Sequence, residues 1–212
     1  LEGQHRGVPI MQAEWIEQHA EGIIALSGGR MGDIGRALLA GQGDLAKQRL
    51  QSWMACFNDR FYIELQRTGR ENEEAYIAEA VELAIEHDVP VVATNDVHFL
   101  KADEFDAHEA RVCIHDGRTL DDPRRPKNYT EQQYLRSSEE MQQLFEDIPE
   151  ALANTVEIAK RCNLEIELGK SYLPQFPIPE GETEESYFCR VSREGLEERL
   201  KILLDETAED YA

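Results

Sequence analysis

Apolar positions along this chain alternate between two kinds of run. Pro90-Val91-Val92-Ala93-Thr94 is a short apolar stretch rich in β-branched residues, preceded by Asp88, the pattern of a strand buried on both faces. Ile23-Ile24-Ala25-Leu26-Ser27 and Phe61-Tyr62-Ile63-Glu64-Leu65 read the same way. Between them the spacing is helical. Ile34 to Leu39 predicts a short helix stopped at Gly41, and Asp44 is placed to cap the next, which carries Leu45, Leu50, Trp53 and Met54. Asn72 to His87 predicts an amphipathic helix with Ile77, Val81, Ala84 and Ile85 on its apolar side. The order strand, helix, helix, strand, helix, strand is that of β/α units with parallel strands. Three strands do not close a barrel, so a barrel would need further strands ahead of Leu1.

The flanks are less regular. Gly7 to Ile10 reads as an extended entry and Met11 to Ala20 as a helix stopped by Gly22. Gly28-Gly29-Arg30-Met31-Gly32 lies between a strand and a helix, where glycines can cradle a phosphate. Its spacing fits neither G-x-G-x-x-G nor a Walker A loop, so a tight turn is expected. Asp103 to His115 predicts a helix with His108 and His115 on one face, each a ligand or a partner of an acid such as Asp106 or Asp116. Gly117 would end it. Residues 118–136 form a locally basic loop with Pro123 and Pro126, expected to neutralise neighbouring acids. Ser137 to Phe145 is a helix with acids in its first turn, and Asp147 would cap the helix of Pro149, Leu152, Val156, Ala159 and Cys162. Leu164 to Leu168 alternates like an edge strand. The alternate prolines of Tyr172 to Pro179 force an extended path. They divide the chain into residues 1–170 and a segment 171–212 whose helix, opened by Thr183, carries Phe188, Val191, Leu196, Leu200 and Leu203.

Composition narrows the function classes. The 212 residues include 43 acidic and 22 basic side chains, a formal charge of -21. Binding nucleic acid requires phosphate neutralisation by Lys and Arg, so this surface would repel a phosphate backbone and suits a basic partner. No apolar run is long enough to cross a bilayer. No export leader opens the chain. Cys56, Cys113, Cys162 and Cys189 are widely spaced, as in reduced cytoplasmic proteins.

Candidate chemistry gathers at Asp96-Val97-His98, just past the apolar run. Side chains two apart on an extended strand share a face, so Asp96 and His98 would present a carboxylate and an imidazole at the carboxyl end of a strand, where α/β folds build sites. Both groups are good ligands for zinc or another divalent ion. The alternative is a hydrogen-bonded loop Asp beside a partly exposed His. Glu64, set among apolar residues, needs a partner, with Arg67 or Arg70 nearest in sequence.

Several blocks together carry a resemblance: Leu26-Ser27-Gly28-Gly29, Phe61 to Arg70, Ala93-Thr94-Asn95-Asp96-Val97-His98-Phe99, Tyr134-Leu135-Arg136-Ser137 with Glu140-Met141, Ala153 to Ala159, and Leu173-Pro174-Gln175-Phe176-Pro177. In order and spacing the chain resembles the α-subunit family of bacterial replicative DNA polymerases, the C-family. The resemblance implies an α/β fold: the later part of a PHP-type β/α barrel over residues 1–170, truncated on its N-terminal side, followed by a linker and the helical start of a thumb domain. It implies DNA synthesis by the parent protein with Mg, at polymerase carboxylates beyond Ala212. The fragment itself would be inactive, supporting the core and docking a separate proofreading exonuclease subunit, with other replicase subunits and DNA reached through the parent. Asp96 and His98 match the last ligand pair of the family's PHP metal centre. Gly29 stands where a metal-ligating cysteine usually follows, so a remnant site for Zn or Mn is implied. A PHP-type metal-dependent phosphoesterase or 3′-5′ exonuclease is the alternative.

Overall fold

The computed structural model describes residues 4–5, 8–171 and 176–209. Gly7 of the expected entry and Tyr172 to Gln175 of the proline-rich stretch lie outside the described residues. The chain forms two compact units, Leu1–Asn163 and Leu164–Ala212.

In the first unit a small ladder pairs β1 (Gln4–His5) antiparallel to β2 (Val8–Pro9). Helix α1 (Ala13–Gln18) leads to β3 (Ala25–Leu26), then α2 (Asp33–Leu39), α3 (Gly43–Phe57) and β4 (Phe61–Gln66). Helix α4 (Glu73–His87) returns the chain to β5 (Val91–Thr94). The three later strands form a parallel sheet in the order β3-β4-β5, with Ala25 opposite Phe61 and Ile63 opposite Val91. The β/α order thus gives the parallel sheet the pattern predicts. Fully buried Ile63 and Leu65 on β4 meet Ile34, Leu50, Tyr76 and Ala80 from the surrounding helices. Beyond the sheet lie α5 (Phe105–Asp116), α6 (Ser138–Leu144) and α7 (Pro149–Arg161). Helix α7 packs on β5, and Asn154 Nδ2 donates to the Val91 carbonyl at 2.8 Å. A side chain thereby satisfies an acceptor on a strand edge that no described strand pairs.

Some local expectations hold and some do not. Ser137 caps α6, accepting from the Glu140 amide while the Glu140 carboxylate accepts from the Ser137 amide, a reciprocal capping box. Gly41 and Gly117 stop their helices in the left-handed conformation. Asp44 lies inside the first turn of α3 rather than at its cap. The inward face of α4 is Tyr76, Ile77, Ala80, Leu83 and Ala84, whereas Ile85 is exposed. Ile77 and Ala84 lie on both the expected and the observed face, Val81 is partly buried at its edge, and the buried face is turned toward Tyr76, Ala80 and Leu83.

Asp147 does not cap α7. Its carboxylate accepts from Arg67 Nη1 and Nη2 at 2.6 and 2.8 Å. The same guanidinium donates to the Leu144 carbonyl at 2.6 Å and to Glu74, and lies over the Phe145 ring at 5.0 Å. Arg67 therefore ties the exit of β4 to both the start of α4 and the α6–α7 junction, and it holds the Asp147 carboxyl below the usual carboxylate range.

In the second unit, residues 164–168 form no strand, and Leu164, Ile166 and Leu168 are exposed. Alternation alone makes no strand when nothing supplies the other half of the ladder. The long helix α8 (Glu184–Glu209) begins after Thr183, whose hydroxyl accepts from the Ser186 amide at 3.2 Å. Its Phe188, Val191, Leu196 and Leu200 are exposed.

Candidate functional site at the carboxyl end of the sheet

Strand β5 stops at Thr94, two residues short of Asp96. Asp96 has φ +43°, so the chain turns there and is not the extended strand that the Asp96–His98 expectation assumed. The two side chains meet all the same: Asp96 Oδ1 lies 3.3 Å from His98 Nε2. The other oxygen, Oδ2, accepts from Arg70 and from Gln133 Nε2, the latter at 2.9 Å.

Gln133 is completely buried and joins several chain segments. Its amide nitrogen also reaches the Asp96 carbonyl, and its amide oxygen accepts from the Thr130 amide at 2.9 Å. Its own carbonyl accepts from the His98 amide at 2.9 Å. Asn95 Nδ2 donates to the carbonyls of Gln132 and Tyr134, and Phe99 bridges to Tyr134. The loop from Thr130 to Tyr134 is thus bonded onto the end of β5, and it leaves few backbone groups there free for a ligand.

Arg70 is positioned by a buried carboxylate. Glu73 opens α4 and accepts from the Thr68 amide at 2.7 Å, from the Thr68 hydroxyl and from the Arg70 amide at 3.2 Å. Thr68 and Glu73 are both buried. Thr130 donates through its hydroxyl to the Thr68 carbonyl, which links this turn to the docked loop. Sequence reasoning missed Glu73, Thr68 and Gln133. The available signal was a Glu at the first position of a helix that follows a Thr-Gly turn, where a carboxylate can satisfy free amides.

Glu64 makes no ion pair with Arg67 or Arg70. Glu64 Oε1 accepts from Gln66 Nε2 at 3.1 Å and from the Thr94 hydroxyl at 2.5 Å. The strand period explains this: Glu64 and Gln66 share a face, Gln66 is opposite Thr94, and Arg67 falls on the other side. Beneath them Tyr76 donates to the Glu64 carbonyl at 2.8 Å, and burial pushes its hydroxyl up to about 12.

The two histidines of α5 separate. His115 is exposed and bonded to Asp116, as one of the expected acid partnerships. His108 is buried against His98, Tyr129 and Phe99, with ring centroids at 5.3, 4.6 and 5.5 Å. It has no acid partner: Nδ1 lies 3.3 Å from Arg111, and Nε2 has none. Burial first, then the Arg111 charge, holds its pKa below the ordinary histidine value. Three arginines of the basic loop are neutralised by acids within the loop or on the neighbouring α5. Arg118 and Arg124 pair with Asp122, and Arg125 pairs with buried Glu109.

These residues do not fit a divalent ion. Asp96 already receives a guanidinium and an amide. Among the described residues no three His, Cys, Asp or Glu side chains gather as a metal site. A Cβ on Gly29 would meet Gln66 Oε1 at 3.1 Å, so the Gln66 amide occupies the space a side chain there would enter.

Comparison with known proteins places this geometry. A family model described as the PHP domain matches residues 1–68. The sheet and that match define a PHP-containing α/β chain. The DNA polymerase III α subunit of Pseudomonas aeruginosa is 54% identical over 210 residues, covering 99% of this chain and 18% of the relative. That of Escherichia coli K12 is 56% identical over 201 residues, 95% of this chain and 17% of the relative. That of Vibrio cholerae is 53% identical over 203 residues, 96% and 17% respectively. The chain belongs to the DNA polymerase III α-subunit family and spans less than a fifth of the length of these relatives.

Proposed function

We propose that this chain is a supporting segment of a bacterial replicative DNA polymerase, acting in the cytoplasm as scaffold for the core and as dock for the proofreading exonuclease subunit. The observation that carries the reading is identity above 50% to polymerase α subunits across nearly the whole chain. The self-bonded strand end supports a structural role over a phosphoesterase one, since Asp96 is held by Arg70 and Gln133. DNA synthesis, with its Mg and its contacts to template and other replicase subunits, is assigned to the remainder of such a protein. The acidity of this segment suits a protein partner better than DNA. No helix among the described residues is long and apolar enough to cross a membrane.

The test uses the full polymerase subunit that carries this segment, with the proofreading exonuclease subunit of the same bacterium. Binding is expected in calorimetry, unchanged by EDTA and by Asp96→Asn. Absence of binding overturns the docking role. A 3′-5′ exonuclease activity of the polymerase subunit alone, abolished by EDTA and by Asp96→Asn, overturns the scaffold reading in favour of a PHP-type nuclease.

A further inference from the structure

We draw no further inference here: the strongest candidate, the cleft between the end of α4 and the start of α7 lined by Val81, Ile85, Val91 and Ile148 with Asp88 and Glu150, carries nothing because nothing among the described residues shows what covers it, and two exposed acids on a chain of formal charge -21 single out no occupant.

Discussion

Gly32→Ala destabilises the protein by about 3 kcal/mol or more, read as a fall in Tm of roughly 6–12 °C. The backbone of Gly32 is ordinary, with φ −62°, so the cause is not a conformation reserved for glycine. The cause is contact. A Cβ built there would lie 1.8 Å from the Ser27 carbonyl oxygen and 3.0 Å from its carbon. That carbonyl cannot retreat freely, because two hydrogen bonds hold Ser27 to β4. Its amide donates to the Tyr62 carbonyl at 3.0 Å, and its hydroxyl accepts from the Glu64 amide at 2.9 Å. Relief would have to unpair β3 from β4 or shift α2. Two other glycines give the contrast. Gly43→Ala, at the open start of α3 with nothing near the added carbon, changes Tm by no more than a degree or so. Gly41→Ala also meets no neighbour but sits at φ +68°, and costs about 1 kcal/mol through strain alone. If all three substitutions cost the same, steric contact at the turn is not what fixes Gly32.

Glu73→Ala is the second large effect, a loss of about 3 kcal/mol in urea unfolding, and Glu73→Gln costs about half as much. The carboxylate serves three donors: the Thr68 amide, the Thr68 hydroxyl and the Arg70 amide. Thr68 is completely buried, so no water replaces the lost acceptor, and each stranded buried donor costs about 1–3 kcal/mol. Glutamine keeps one acceptor oxygen but presents an N–H₂ to the remaining donors, which places it between the two. The loss should extend to the strand end, because this carboxylate orients the turn that delivers Arg70 to Asp96. Equal stability of Glu73→Ala and the unsubstituted protein would mean that the 68–73 turn is held by something other than this carboxylate.

The parallel sheet was legible in the sequence because its evidence is local. Phe61 to Leu65 and Val91 to Thr94 are β-branched and apolar runs of strand length, and the intervening segment has helical period. The helix opening at Ser137 with its first-turn acids and the stop at Gly117 were legible for the same reason: their signals lie within four residues. The site was legible only in part. Asp96 and His98 do meet, but across a left-handed turn that spacing along an extended strand did not foretell. Their environment is made by Arg70, Gln133 and Glu73, through side-chain bonds to chain segments distant in sequence. Such bonds have no period and leave no run of similar residues. Glu64 shows the same limit, since arginines near in sequence proved to lie on other faces of the sheet's end. Leu164 to Leu168 erred in the opposite direction, where a local pattern was present and no pairing partner was.

The account rests on loops at the carboxyl end of the sheet being bonded shut by the chain's own side chains. Amide hydrogen exchange tests this directly at Thr68 and His98, whose N–H groups donate to Glu73 and to the Gln133 carbonyl. Both are predicted to exchange as slowly as the amide of fully buried Ile63 on β4, which donates to the Pro90 carbonyl at 2.9 Å. Exchange at the rate of exposed loop amides, while Ile63 stays protected, would contradict it.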